Sequence, residues 1–564
     1  MRKMLATALV TAASAAMSIT TVQAQSVEAL LDDHKTPGDV LVYGMGYSAQ
    51  RYSPLTRINK GNVKRLVPMW TYSMNDQRGA EAFPIVDEGV IYTTAHNATV
   101  ALDAMTGKPI WRVAHEYPPE TLRSVCCGIV NRGVAKFDGK VIRALLDNQI
   151  IALDAKTGKE VWKTASPAPA TAANGYAMTG TPLIASGVVV VGVAGAEYSH
   201  RGFIEGYDVH TGKHLWRHWN VPAAGEKGAE TWGGDSAATG GGSSWVTGAY
   251  DPELDLVFWG TGNPSPWNAR GRPGDNLWTN SIIALRPRTG ERVWHYQATP
   301  NDPFDYDGVH QPVIASIKVD GKPRKVLMQA NRNGFLYVLD PSSGKLIAGN
   351  TFGKVNWADG IDLQTGRPKF TQVYHDAIAG KSTTVWPSVS GVTNWQHMSF
   401  SPKTGHVYIN TLHVGMGYEA PPAEQYAPGK PSGPGSVKRT TVLDDPNVRG
   451  HLKAVDPMTG KSKWEVPYKS PNYSSTLVTG SDLVFTGVMT GEFEARDADS
   501  GRLLWSFQTP SGIVGQPVTW ERNGKQYVTV MSGIGGVYAL RAGDPNLANV
   551  PAGATVWTFG LFDK

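Results

Sequence analysis

Cysteine is almost absent. The chain has two among its 564 residues, and they are neighbours, Cys126 and Cys127, in the segment Arg123-Ser-Val-Cys-Cys-Gly-Ile-Val-Asn-Arg132. Adjacent cysteines cannot tie distant parts of a chain together, and a bond between them closes a small, strained ring. That excludes a disulfide-stapled scaffold. The Cys-x-x-Cys-His segment of covalent haem and the Cys/His sets of zinc sites are missing as well. What is left for the pair is local: a stiff, polarizable surface against which something flat could pack. Beyond the N-terminus there is no run of about 18 apolar residues, so no membrane span is expected. Lys/Arg runs are also lacking. The formal charge is +5 and falls to +3 without Arg2 and Lys3, which offers no nucleic-acid-binding arm but could help docking to an acidic partner. Apart from a short amphipathic stretch near Val27 to Leu31, no helical periodicity stands out.

The first residues are basic, Leu5 to Ile19 is apolar and small, and Val22-Gln-Ala24 is an A-x-A-like end. This predicts a signal peptide over residues 1–24, cleaved before Gln25, and an exported protein over 25–564. In such a compartment a disulfide can form and persist.

Glycine (63) and tryptophan (18) are abundant, and one phrase recurs. It runs Ala101-Leu-Asp-Ala-Met-Thr-Gly-Lys-Pro-Ile-Trp111, returns as Ala152-Leu-Asp-Ala-Lys-Thr-Gly-Lys-Glu-Val-Trp162 and again as Gly206-Tyr-Asp-Val-His-Thr-Gly-Lys-His-Leu-Trp216. Further copies end at Trp294, Ile347, Trp464 and Trp505, and an early one without the Asp-x-x-Thr-Gly part ends at Trp70. The pattern reads as strand, tight turn, strand: the Asp caps the turn, the Gly takes a positive φ, and the Trp packs between units. Eight endings, several spaced by about 40 to 54 residues, predict an all-β, eight-bladed β-propeller forming one domain. Seven blades with an added β-domain is the alternative. The long intervals from 216 to 294 and from 347 to 464 should hold insertions, and residues 420–437, rich in Pro and Gly, read as a surface loop.

Three segments depart from the repeat and carry candidate chemistry: Met178-Thr-Gly-Thr-Pro with Gly195-Ala-Glu197; Gly241-Gly-Ser-Ser-Trp245 with Gly260-Thr-Gly-Asn-Pro-Ser-Pro-Trp267; and Asn301-Asp-Pro-Phe-Asp-Tyr-Asp-Gly308. Singly, Glu197, Asn263 and the three aspartates are ordinary turn residues. Together they are hard oxygen ligands, suited to Ca²⁺ or a similar cation.

These segments, with the vicinal cysteines and Arg272-Pro-Gly-Asp-Asn276, resemble the pyrroloquinoline-quinone (PQQ)-dependent alcohol dehydrogenases, the quinoprotein group that includes methanol dehydrogenase, over essentially the whole mature chain. The resemblance implies an eight-bladed propeller. It implies that Cys126 and Cys127 form a ring disulfide on one face of the quinone and Trp245 stacks on the other. Glu81, Arg132, Thr179, Gly195, Ala196, Ser243, Arg332 and Asn394 would surround the cofactor's edge. Glu197, Asn263 and Asp305 would hold the metal. Asp305 would also be the catalytic base, and Arg332 would stabilise negative charge developing on the quinone oxygens.

Asp307 refines this. Calcium-using methanol dehydrogenases of the family carry a small residue two positions after the catalytic Asp, and lanthanide-using members carry Asp there. A trivalent ion calls for more negative charge and more oxygens, so Asp307 implies a lanthanide (La, Ce, Pr or Nd), with Ca²⁺ as the alternative. Two positions depart from the family pattern: Tyr473-Ser474 stands where methanol dehydrogenase has Trp-Gly, and Ala194 replaces a Ser. Trp267 is a pocket wall or simply core. The implied activity is periplasmic oxidation of primary alcohols to aldehydes by hydride transfer, with electrons passing to a separate soluble cytochrome c. A homodimer, a polyol- or sugar-oxidising enzyme and a non-enzymatic periplasmic scaffold are the competing expectations. The insertions near 220–235 and 412–440 should set pocket width.

Overall fold

The computed structural model describes residues 27–31, 35–125, 128–168, 175–424, 429–535 and 543–562. Cys126 and Cys127 lie outside them, as do residues 1–26, which include the whole expected signal peptide 1–24. Among the described residues the chain forms eight antiparallel sheets of four strands, one of which carries a fifth, short parallel strand, Tyr52–Ser53. A separate hairpin and a three-stranded sheet fall in the long interval before Trp464. The molecule is a β-propeller.

The repeated phrase explains how the sheets join. Each ending residue lies on the outer strand of one sheet: Trp70 in Leu66–Ser73, Trp111 in Pro109–Ala114, Trp162 in Glu160–Ala165, Trp216 in His214–Trp219, Trp294 in Arg292–Gln297, Ile347 in Leu346–Thr351, Trp464 in Ser462–Tyr468 and Trp505 in Leu503–Gln508. The Trp rings reach the turn of the following sheet. Trp70 Nε1 donates to Ala104 O (2.9 Å), Trp111 to Ala155 O (2.9 Å), Trp216 to Pro287 O (2.9 Å), Trp294 to Pro341 O (3.0 Å) and Trp464 to Ala498 O (2.9 Å). Trp505 donates to Leu66 O (3.1 Å), from the last sheet but one back to the chain's first propeller strand. The aspartate works as predicted: Asp154 Oδ1 accepts from the Lys156 and Thr157 amides and from Thr157 Oγ1.

The glycine of each turn is fixed by two demands. At Gly158, φ is +72° and a Cβ would stand 2.9 Å from the Trp111 ring. Gly158→Ala therefore combines a left-handed backbone with overpacking, and we expect it to lower unfolding free energy by about 2 kcal/mol. Equilibrium denaturation measures this; an unchanged midpoint would show that the Trp111 ring shifts freely.

The ring closes through the termini, because Leu66–Ser73 pairs with Thr555–Leu561 from the other end of the chain. An N-terminal segment then crosses the inner strands of several sheets. Val40 pairs with Val86, while Tyr47 O, Ser48 O, Gln50 O and Arg51 O accept from the amides of Tyr250, Ile314, Phe400 and Val478. Buried side chains continue this plug: Arg51 donates to Gln311 and Gln516, and Tyr43 meets His397 Nε2 at 2.8 Å.

Antiparallel pairing places two kinds of connection at the same end of every sheet, namely the run-in to its innermost strand and the link between its second and third strands. The Thr-Gly turns lie at the opposite end. All the site candidates come from the first two. Residues 128–132, 177–179, 243–245 and 305–307 precede inner strands, whereas Glu197, Asn263 and Arg332 lie on second-to-third links.

The structure corrects one expectation. Residues 420–437 are not a surface loop throughout: Ala420, Ser432, Ser436 and Val437 are buried. The described part is tied to the site segments. Ser432 N donates to Glu197 O (2.8 Å), Gly429 N to Tyr198 O (2.8 Å), and the Ser432 and Ser265 hydroxyls meet at 2.6 Å. Two short helices, Pro119–Ser124 and Gln372–Ile378, were not anticipated, since neither is long enough to show a period.

Candidate active site

One cavity, about 510 Å³ of non-atom space partly open to solvent, gathers most of the predicted residues: Glu81, Arg132, Thr179, Gly195, Glu197, Ser243, Trp245, Asp305, Asp307 and Arg332. Ala194 and Trp395 complete it beside Gly128 and Val130, which flank the vicinal cysteines. Of the remaining candidates, Ala196 is buried within the turn that carries Glu197, and Asn394 reaches the site through Arg332, whose Nη2 donates to its Oδ1 at 3.1 Å. Asn263 stands beside Asp307.

The acidic side is organised by Arg332. Its Nη1 donates to Asp305 O (2.7 Å) and Asp305 Oδ2 (2.9 Å) and lies 3.3 Å from Asp307 Oδ2. Asp307 is held from two more directions, because its Oδ1 accepts from Asn263 N (2.7 Å) and its Oδ2 from Trp245 Nε1 (3.0 Å). The Gly-Thr-Gly-Asn sequence now has a reason: a Cβ on Gly262 would fall 2.5 Å from Asp307 Oδ1. Asp305 itself adopts φ +63°, a left-handed conformation that Asp tolerates and that functional sites often retain. Its turn is capped by Asp302, whose carboxylate accepts from Phe304 N (2.8 Å) and Tyr306 N (2.6 Å). Buried Arg272 clamps the neighbourhood, donating to Pro266 O (2.6 Å), Asn276 Oδ1 (2.7 Å), Trp267 O (3.2 Å) and Asp302 O. That gives the Arg-Pro-Gly-Asp-Asn segment its role: it fixes the Trp267 and Asp305 turns against each other.

Burial pushes the Asp305 carboxyl well above the usual carboxylate range, and Asp307, Glu197 and Asp302 push the same way against Arg332. Glu81 is likewise raised by burial, opposed by Arg132. The other side of the cavity is cationic and aromatic. Arg132 pairs with Glu81 (2.6 Å), donates to Thr179 Oγ1 (2.9 Å) and sits 4.8 Å over the Trp245 ring.

Two buried oxygens, Asp305 Oδ1 and Asn263 Oδ1, have no hydrogen-bond partner. Orphaned hard oxygens among mutually repelling carboxylates fit a cation. The carboxylates do not form a ready-made cage: among the described residues no three His, Cys, Asp or Glu side chains converge as ligands do, since Arg332 and Trp245 hold Asp305 and Asp307. The flat wall of Trp245, with Arg132 and Thr179 at its rim, equally fits a planar, acidic cofactor.

Sequence reasoning missed Trp395, which lines this cavity and stacks on Tyr473 (4.5 Å between centroids, 15° between planes). Tyr473, noted only as a departure, is thus second in an aromatic pair at the cavity wall. Trp267 proves to be both core and wall. It is buried, yet borders a second, larger cleft that shares Asp305 with the first.

The sequence matches the family profile described as "PQQ: Glucose/ethanol/alcohol dehydrogenase, beta-propeller domain" over residues 41–356 and 448–528. The chain belongs to the PQQ-dependent alcohol dehydrogenases. Quinohemoprotein alcohol dehydrogenase ADH IIB of Pseudomonas putida is 42% identical over 543 residues, covering 93% of this chain and 78% of that protein. Quinoprotein alcohol dehydrogenase PedH of Pseudomonas putida is 38% identical, covering 95% and 93%. Among solved structures, a europium-containing methanol dehydrogenase superposes with a TM-score of 0.89 at 34% identity, covering 95% of this chain and all of that one. Family membership makes the chain an oxidoreductase of the PQQ-dependent, alcohol-oxidising kind. No helix among the described residues is long and apolar enough to cross a membrane.

Proposed function

We propose that this protein oxidises primary alcohols to aldehydes in the periplasm with PQQ and a lanthanide ion, and passes the electrons to a soluble cytochrome c. The fold reading that goes with it takes the eight sheets as eight blades and residues 25–564 as one domain behind a signal peptide. The observation that carries the reading is the single cavity in which Trp245 and Arg132 face Asp305, Asp307, Glu197 and Arg332.

The quinone, when bound, supplies the hydride acceptor, and the metal supplies Lewis acidity at its carbonyl. Arg132, Thr179, Ser243 and Glu81 would hold the cofactor's polar edge, Trp245 one face, and the Cys126–Cys127 disulfide the other. Glu197, Asn263, Asp305 and Asp307 would hold the ion. Asp305, raised by burial and then by its carboxylate neighbours, would be ionised when these residues hold the ion. Asp305 then takes the alcohol's proton at Oδ1, the oxygen that Arg332 does not occupy. The Arg332 guanidinium lies beside the reacting atoms and would stabilise negative charge appearing there. The 429–437 segment lies over Glu197 and partly screens it from water.

The lanthanide reading rests on Asp307, and the europium-containing neighbour supports it. Calcium dependence is the second reading, since Ca²⁺ takes the same hard oxygen ligands as Glu197, Asn263 and Asp305 offer. Dye-linked oxidation of an alcohol panel, with purified protein reconstituted with PQQ and either La³⁺ or Ca²⁺, tests both. We expect La³⁺ to activate and Ca²⁺ to fail; activity with Ca²⁺ alone would overturn the metal, and no activity with either would overturn the enzyme.

For the cysteines, Cys127→Ser should weaken PQQ retention about tenfold or more while shifting the denaturation midpoint little. Retention read from the bound cofactor's near-ultraviolet absorbance, together with a melting curve, decides it. A variant that unfolds but keeps its quinone would make the pair a staple.

A further inference from the structure

The plug segment ends in a buried arginine whose charge has no counter-ion. Arg51 is 1% exposed. Its guanidinium donates to Gln311 Oε1 (2.7 Å), Gln516 Oε1 (3.1 Å) and Ala49 O (3.4 Å), and lies 5.3 Å from the centre of the Tyr43 ring. All of these partners are neutral, and no carboxylate among the described residues acts on it. Burial lowers its pKa to about 10, so it is charged at neutral pH. Burial holds the Tyr43 hydroxyl above its ordinary value, and burial followed by Arg51 holds His397 well below the usual imidazole range. Both are therefore uncharged, as is His310 beyond them, which burial and Arg332 push down to about 3. The backbone is held in place for this purpose: Arg51 adopts φ +47°, its N donates to Gly44 O (3.0 Å), and its O accepts from Val478 N (3.0 Å).

This charge lies one layer of side chains from the cavity. The Tyr43 ring stands 5.0 Å from that of Phe83, whose N donates to Arg132 O (2.9 Å). Tyr43 and His397 both feel Arg132 as well as Arg51. The cavity's own lining is acidic: Glu81, Glu197, Asp305 and Asp307 stand against Arg132 and Arg332. Both arginines already face acids, Arg132 with Glu81 (2.6 Å) and Arg332 with Asp305 (2.9 Å). An acidic cofactor adds negative charge to that lining, and the Arg132–Glu81 pair offers little net charge against it. A guanidinium buried without a counter-ion loses solvation that neutral hydrogen bonds offset only in part, and an anion arriving nearby completes the compensation. We propose that Arg51 is the counter-charge of the acidic quinone, attracting it through the Tyr43 layer without touching it. This rests on the PQQ reading above and gives it a residue outside the cavity lining. Across about 10 Å of protein interior, the attraction between two unit charges amounts to about tenfold in a binding constant.

The test is PQQ binding to full-length, quinone-free protein at a fixed metal concentration, followed by quenching of tryptophan fluorescence, with a melting curve for each variant. Gln516→Glu is nearly isosteric and sets a carboxylate where Arg51 now meets an amide oxygen. It neutralises the charge without removing the arginine, and should raise the PQQ dissociation constant about tenfold while the melting midpoint holds or rises. Arg51→Met should weaken binding by a similar factor. Arg51→Lys keeps the charge but loses the fork that reaches Gln311 and Gln516, and should stay within about threefold of wild type. Unchanged binding in Gln516→Glu overturns the proposal, whether or not Arg51→Met folds. So does an Arg51→Lys protein that binds as weakly as Arg51→Met, because hydrogen bonding and not charge would then be the contribution. Wild type that fails to bind PQQ would instead overturn the cofactor reading, so the two failures are distinguishable.

Discussion

Asp305→Asn should reduce turnover by between about a hundredfold and ten-thousandfold, the range that a positioned general base supplies. The substituted amide is nearly isosteric. Arg332 Nη1 donates toward the Oδ2 position, so the amide oxygen will turn there and its NH₂ will face the cavity where Asp305 Oδ1 now stands without a partner. A donor in that place cannot accept the alcohol's proton. Folding should survive. Arg332 keeps Asp307 at 3.3 Å and the carbonyl of residue 305 as partners, and the substitution removes a buried charge from a site where burial already disfavours it. The measurement is steady-state kinetics beside a melting curve and the absorbance of retained quinone. Wild-type turnover in a folded, cofactor-loaded Asn variant would remove Asp305 from the role of base.

Asp307→Ala should abolish lanthanide-supported activity. The carboxylate does three things at once: it pairs with Arg332, accepts from Asn263 N and accepts from Trp245 Nε1. Losing it therefore removes a proposed ligand and also frees Trp245. Two further measurements separate these effects. Trp245→Phe keeps the carboxylate and should weaken quinone retention while leaving the protein able to bind Tb³⁺. Asp307→Ala should lose Tb³⁺ binding, read by its luminescence in quinone-free protein. If the Ala variant binds Tb³⁺ like wild type and La³⁺ still activates it, Asp307 is a positioning residue for Trp245 and no ligand.

Much of the fold was legible because propeller sheets are local. The Asp-x-x-Thr-Gly turn is capped by its own side chain, and its Trp reaches only into the next repeat, so a linear count of endings found the outer strand of every four-stranded sheet. The candidate site was legible only through resemblance. Asp302 and Asp305 are two acids of one short segment, and nothing in their order says that Asp302 caps backbone amides while Asp305 faces a cavity. Trp395 and Tyr473 lie on the run-ins to different sheets and carry no shared pattern, so their stacking was invisible. The 420–437 stretch misled for a related reason: Pro and Gly mark irregular backbone, and irregular backbone usually meets water, but here its polar groups are satisfied by Glu197, Tyr198 and Ser265.

The sequence by itself determined the repeat, the turn chemistry and the set of oxygen-bearing side chains, because each of these is written within a few consecutive residues. The tertiary structure alone decided that run-ins and second-to-third links from different sheets meet at one end of a ring. It also decided that Arg332 ties Asp305 to Asp307. Those relations join residues far apart in the chain, and they exist only once closure of the ring brings its first and last strands into one sheet.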